Sequence, residues 1–121
     1  MADRTTEAVL RDHLERAQQG DLEGDIRDNF APDTVLLTTY GTFHGHQGIL
    51  AAAKLLNDQL GSTSYEYTNV VSEGDVGFLE WRADTPRARV TDGADSFVIR
   101  DGKIQTMTIH YTVEPVDSTR D

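Results

Sequence analysis

Among the residues of this 121-residue chain that could move a proton, Asp95 keeps the oddest company. It begins the run Asp95-Ser96-Phe97-Val98-Ile99, and the two-residue period of a strand puts its carboxyl on one face with Phe97 and Ile99. A carboxylate among large apolar side chains is either neutralised by a partner or keeps its proton, and a carboxyl that keeps its proton near pH 7 is a general acid or hydrogen-bond donor. His13 has a similar setting. Val9, Leu10, His13, Leu14 and Ala17 make one helical stripe with the imidazole in its middle. A lone histidine there is more often packed than catalytic. In the segment 76–84, alternation separates Phe78, Glu80, Arg82 and Asp84 from Leu79, Trp81 and Ala83. Polarity alone sends Trp81 into the core and Glu80 and Arg82 into solvent. The opposite phase brings Glu80 and Arg82 toward Asp95 and His13.

Other chemistries find less support. The chain has no cysteine, which removes thiol nucleophiles, disulfides and zinc–thiolate sites. His44-Gly45-His46 places two histidines two residues apart with no acid at ligand spacing, so no metal is expected. His110 alternates with Ile109 and Tyr111 and is expected to face outward. Neither a phosphate-binding glycine loop nor a Gly-x-Ser-x-Gly elbow occurs, and no cofactor is expected. The formal net charge of −10 argues against nucleic acid as a partner. No apolar run reaches the roughly 20 residues of a membrane span, and the opening Met1-Ala2-Asp3-Arg4 does not read as a signal peptide. A cytoplasmic protein with no membrane partner is expected.

The elements that must position Asp95 and His13 follow from punctuation and period. A helix is predicted over residues 5–19, stopped by Gly20, and a second is capped by Asp21, with Leu22, Ile26 and Phe30 inward and Ala31-Pro32-Asp33 as its end. Residues 34–39 read as a short strand and 40–45 as a turn-rich connection. A third helix covers about 46–60. The rest reads as sheet: strands over 64–72 and 76–84, a break at Thr85-Pro86, then two long arms joined at Asp101-Gly102, a strong hairpin signal. The tail after Glu114 is expected to fray. Helices followed by antiparallel strands predict one α+β domain, core about 5–114, in which a curved mixed or antiparallel sheet wraps three N-terminal helices and leaves a cone. The mouth of such a cone can hold a small ligand.

This order, with Gly20-Asp21-Leu22 between the first helices and Asp101-Gly102-Lys103-Ile104 in the last turn, resembles the nuclear transport factor 2-like superfamily, and within it the SnoaL-like and ketosteroid-isomerase-like proteins. The likeness covers about Glu7 to Val113. It implies a cystatin-like cone that hosts isomerases, cyclases and hydrolases as well as noncatalytic subunits. In ketosteroid isomerases a tyrosine of the first helix and a protonated aspartate of a late strand donate to a developing oxyanion; those positions fall on His13 and Asp95. The general-base position falls on or near Thr38, which cannot serve as that base. Arg82-Ala83-Asp84 is similar to the Arg-x-Asp pair of limonene-epoxide hydrolases, whose third acid falls near Ile109.

The resemblance turns the Phe78 face inward. Asp95, His13, Arg82 and Glu80 then form the expected catalytic set. Thr38, Tyr40, Phe78, Asp84, Phe97, Met107, Ile109 and Tyr111 line an apolar, aromatic pocket. Leu79 and Trp81 would form a convex apolar patch, through which a homodimer is expected. Two functions remain: a cofactor-independent isomerase, cyclase or hydrolase acting on a carbonyl or epoxide of a small apolar or aromatic molecule, or a noncatalytic ligand-binding or dimeric scaffold of the same fold.

Overall fold

The computed structural model describes residues 4–61 and 64–116. Three helices come first, interrupted by one hairpin. Helix α1 (Thr6–Gln19) is capped by the Thr5 hydroxyl, which accepts from the Ala8 N–H at 3.1 Å. It ends at Gly20, whose φ of 75° lets the chain turn left-handed while the N–H groups of Gly20 and Asp21 close on the last carbonyls. The Asp21 carboxylate then caps α2 (Leu22–Asn29) by accepting from Gly24 N–H. Strands β1 (Phe30–Thr38) and β2 (Gly41–His44) form the hairpin, and α3 (Gly45–Leu60) follows.

The remaining strands are β3 (Glu66–Glu73), β4 (Val76–Asp84), β5 (Ala88–Arg100), β6 (Lys103–His110) and the short β7 (Glu114–Pro115). They order as β2-β1-β6-β5-β4-β3, with β7 on β5; β1 runs parallel to β6 and all other pairs are antiparallel. At the β5–β6 turn Asp101 and Gly102 both take positive φ, 55° and 71°, matching the right-handed twist of a two-residue hairpin. Register shifts in the pairings of β1–β6, β3–β4, β4–β5 and β5–β6 bend the sheet, which curves around the helices without closing. The result is a cone-shaped α+β fold. Its core joins Val9, Leu10 and Leu14 of α1 to Leu79, Val90, Phe97, Ile99 and Ile104 of the sheet. No helix of the described residues is long and apolar enough to cross a membrane.

Three local expectations need correction. Helix α2 ends at Asn29, and Ala31-Pro32-Asp33 lies inside β1. Proline is tolerated there because β1 pairs with β6 only at Phe30 and again from Val35, so Pro32 has no ladder bond to supply. The stretch 41–44, expected as turn, is a strand because Val35–Thr38 offers it a pairing edge. The pair β7 on β5 was not expected. Most of the tail expected to fray, residues 117–121, lies outside the described residues.

The larger correction concerns β4. Leu79, Trp81 and Ala83 are the inner residues, at 2%, 4% and 3% exposure, while Glu80, Arg82 and Asp84 point to solvent. The reason is cross-strand pairing: Leu79 lies opposite Asp95 and Phe78 opposite Ser96, and directly opposed residues share a face. Asp95 and Phe78 therefore cannot both face inward. Phe78, Glu80, Arg82 and Asp84 leave the expected site, and the expected outer patch of Leu79 and Trp81 does not exist.

Candidate functional site

The helices and the concave face of the sheet enclose a cavity of about 490 Å³. Its walls are mostly apolar: Leu14, Leu36, Ile49, Leu56, Met107 and Ile109 among them. Rings cover one side. Tyr67 stacks near Tyr65, Tyr65 meets Trp81 edge-on at 5.4 Å, and Trp81 and Tyr40 each lie within 6 Å of Tyr111. Such offset and edge contacts are favourable between aromatic quadrupoles. They hold the side chains as one continuous arc, with Tyr40, half exposed, at its outer end.

Asp95 stands beside this arc on β5, at 7% exposure. The Trp81 indole donates to its Oδ1 at 2.9 Å. Its other oxygen takes no hydrogen bond from the described residues. Burial pushes the carboxyl up to about 7; the Trp81 N–H and the charge of His13 pull the other way without cancelling that effect. Gly93 makes the arrangement possible, because a Cβ there would fall 2.3 Å from the Trp81 ring. Trp81 lies flat over the glycine opposite it in the β4–β5 ladder.

His13 enters the same cavity from α1. Its ring packs edge-on against Phe30 and Phe97, and its Nδ1 lies 2.7 Å from Asp25 Oδ2. Asp25 belongs to α2 and is 4% exposed. A carboxylate accepts at Nδ1, so the nitrogen left for a cavity ligand is Nε2. Burial opposes charging this ring. The charge and hydrogen bond of Asp25, with smaller pulls from Asp95 and Asp12, outweigh it, and the pKa ends above 6.5.

The structure thus brings together Asp95, His13, Thr38, Tyr40, Met107, Ile109 and Tyr111 around one cavity. Phe97 is buried behind His13. Thr38 lines the wall, but its hydroxyl serves the β1–β2 turn, accepting from Tyr40 N–H at 2.9 Å. Asp25, Tyr65, Tyr67 and Trp81 were missed as site residues. A signal for Asp25 was there: 22, 25, 26 and 29 form one helical stripe, and Asp25 and Asn29 are its two polar members. Tyr65 is fixed through its backbone. The Gln18 side-chain amide holds it in both directions, donating to the carbonyl and accepting from the N–H.

His44 and His46 do not join this site. His46 Nε2 meets the Phe30 carbonyl at 2.9 Å, and His44 is exposed at the end of β2. Among the described residues no three histidines or acids are placed to hold a metal.

The sequence profile of a family described as the SnoaL-like domain matches residues 10–107, which include His13, Asp25 and Asp95. Solved structures share the architecture. One from Mesorhizobium loti, provisionally named a SnoaL-like polyketide cyclase, is 19% identical over 89% of this chain and 100% of its own, with a TM-score of 0.69. Another from Kribbella flavida DSM 17836, provisionally named a ketosteroid isomerase, is 16% identical over 95% and 84%, with a TM-score of 0.74. TerC, co-crystallised with polyporic acid, is 21% identical over 88% and 91%, at 0.71. At these identities the likeness establishes the fold. No curated protein matches the chain.

Proposed function

The chain belongs to the SnoaL-like domain family, and on that premise we propose that it catalyses proton transfer on a small, planar, largely apolar molecule carrying a carbonyl oxygen. One observation carries the reading: an apolar cavity holds the buried Asp95 carboxyl, with one oxygen unclaimed by the described residues, and a His13 ring held from behind by Asp25. A carboxyl poised near neutrality and an imidazole of raised pKa share one labile proton at pH 7. With that proton on Asp95, the acid donates to the substrate carbonyl and His13 Nε2 takes a proton from the carbon beside it. The C–H pair becomes the C=C of an enol, whose oxygen keeps the Asp95 proton. Returning the His13 proton to another carbon, and the enol proton to Asp95, completes an isomerisation. The arc from Tyr67 to Tyr40 favours a flat, aromatic ligand.

The test is hydrogen exchange. Cyclic ketones, enones and hydroxyquinones incubated with the protein in D₂O should lose α-protons faster than in buffer, followed by NMR. His13→Gln should reduce the rate by about 10²–10⁴, the usual range for general base catalysis. Binding of these compounds without any accelerated exchange would favour the noncatalytic ligand-binding reading instead.

The reading also includes a homodimer, through a different set of residues from the one first expected. The outer sheet face carries Val35 and Leu37 of β1, Val98 of β5, Val76 and Phe78 of β4 and Val71 of β3, bridged by Thr106 and Thr108 of β6. Leu37, Val71 and Val76 are largely exposed. These residues carry no charge, Glu73 opposite Val76 stands at the edge of the band, and Glu80 and Arg82 beside it offer both signs. A second copy suits this apolar centre, since burying it against itself brings no two charges of the centre together.

A further inference from the structure

We infer that Asn29, which does not touch the cavity, is a positioning residue for His13: it orients the Asp25 carboxylate and so decides which ring nitrogen carries the proton. This rests on the proton-transfer reading above and extends it to the back of the site.

Asn29 lies one helical turn after Asp25 on α2, at 0% exposure. Its amide is used on both sides. Nδ2 donates to Asp25 Oδ1 and to Asp12 Oδ2, each at 2.9 Å, and Oδ1 accepts from the Arg4 guanidinium at 2.8 Å. Only this orientation works. A flipped amide would set its oxygen against two carboxylates and its NH₂ against a guanidinium. The amide is pinned in turn: Arg4 also donates to the carbonyls of Asp28 and Gly102, and Arg16 binds Asp12 at 3.0 Å and Asp28 at 2.8 Å. A buried amide lowers stability unless both ends are satisfied, and here both are.

The consequence reaches the ring. With Oδ1 of Asp25 held by Asn29, Oδ2 is left as an acceptor at 2.7 Å from Nδ1 of His13. The neutral imidazole then carries its proton on Nδ1 and presents a lone pair at Nε2, the form a base needs. Without the amide, Oδ1 of Asp25 has no donor among the described residues and the carboxylate is free to turn away from Nδ1, while Asp12 keeps Arg16. A ring that loses this acceptor no longer holds its proton on Nδ1; the proton moves to Nε2, and the base becomes a donor. The groups acting on His13 are thus Asp25 and Asp12 through Asn29 on the helix side, and Asp95 on the sheet side.

The experiment is ¹⁵N NMR of the His13 ring in ligand-free protein. Wild type should show the Nδ1–H form when neutral. Asn29→Leu, of similar branching but with no polar atom, should populate the Nε2–H form and lower the midpoint of the ring titration. It should also reduce α-proton exchange at least tenfold, with little change in KM and a shifted pH profile. A folded Asn29→Leu protein with the wild-type tautomer and titration overturns the inference. Should that variant not fold, Asn29→Asp keeps the shape but has no N–H to give; because its added charge shifts the titration in any case, the ring tautomer is read: an Nε2–H form supports the inference and a retained Nδ1–H form overturns it. His13→Gln retaining full activity would refute the proton-transfer reading itself, which the ring spectra do not depend on.

Discussion

Replacing Asp95 with asparagine should make the protein more stable at pH 8 while removing its acid. Asp95 is buried, and burial lifts its carboxyl from 3.8 to about 7. A group whose folded pKa lies above its unfolded value binds protons more tightly in the folded state. Its contribution is complete below the unfolded pKa and is lost as pH rises through the folded one. Stability should therefore fall between about pH 4 and pH 7. At about 1.4 kcal/mol for each pH unit, the loss from this one carboxyl is about 4 kcal/mol. His13 adds a slope of the same sign, since its raised pKa means stability lost as the ring deprotonates.

The Asp95→Asn side chain cannot ionise, and its oxygen can still accept from Trp81 Nε1. Urea unfolding of both proteins from pH 4.5 to 8.5 isolates the effect. The variant should match or trail the wild type at the acid end, because its NH₂ gains no described partner. It should overtake by a few kcal/mol at pH 8, a shift in midpoint readily measured for a domain of this size. Parallel stability curves across this range would show that Asp95 ionises as an ordinary carboxylate, and the acid role assigned to it would fall with them. The trade is common where a catalytic group is held in a disfavoured state.

Further outcomes separate the parts of the site. Gly93→Ala puts a methyl into the Trp81 ring, so calorimetry should show about 1–3 kcal/mol of destabilisation from overpacking, with the Asp95 titration displaced because its donor must move. Glu80→Gln and Arg82→Gln together should leave α-proton exchange within about twofold, since both side chains face solvent and exposed pairs contribute little; a large loss would return them to the site. Phe78→Glu with Val98→Glu puts charge at the centre of the outer band; sedimentation should show a dimer for the wild type and a monomer for this variant, and a monomeric wild type would refute the proposed pairing.

Much of the architecture was legible because local chemistry and fold agree. Gly20 and Asp21 are read from sequence as a stop and a cap, and they adopt those roles. Asp101-Gly102 reads as a tight hairpin turn and takes the positive dihedrals that turn needs. Asp95 was recognisable because period two set it among Phe97 and Ile99, and all three are buried. The face of β4 was harder. Alternation sorts Phe78, Glu80 and Arg82 from Leu79 and Trp81, but a shift of one residue exchanges the two sets. The polarity of the residues pointed the right way and the family likeness the wrong way. Cross-strand register decides it, and register is not a property of one strand. Asp25 escaped notice for a different reason. An acid in the first turn of a helix ordinarily favours the helix dipole, so only its place on the stripe with Leu22 and Ile26 marks it as buried.

The two halves of the site are built independently. The helix half, with His13, Asp25, Asn29 and Asp12, is a continuous chain of hydrogen bonds ending at Arg4 and Arg16. The sheet half, Asp95 and Trp81 over Gly93, is a single hydrogen bond set in rings. No hydrogen bond among the described residues joins His13 to Asp95, so the two sense each other through charge alone across a cavity of low polarity. That separation suits a proton-transfer site. A direct bond would lock the shared proton between the two groups and close the space where a substrate belongs. Held apart, one can give a proton to oxygen while the other takes one from carbon. The curvature of the sheet, which leaves a cavity lined by both Asp95 and His13, is therefore as much a part of the chemistry as either side chain.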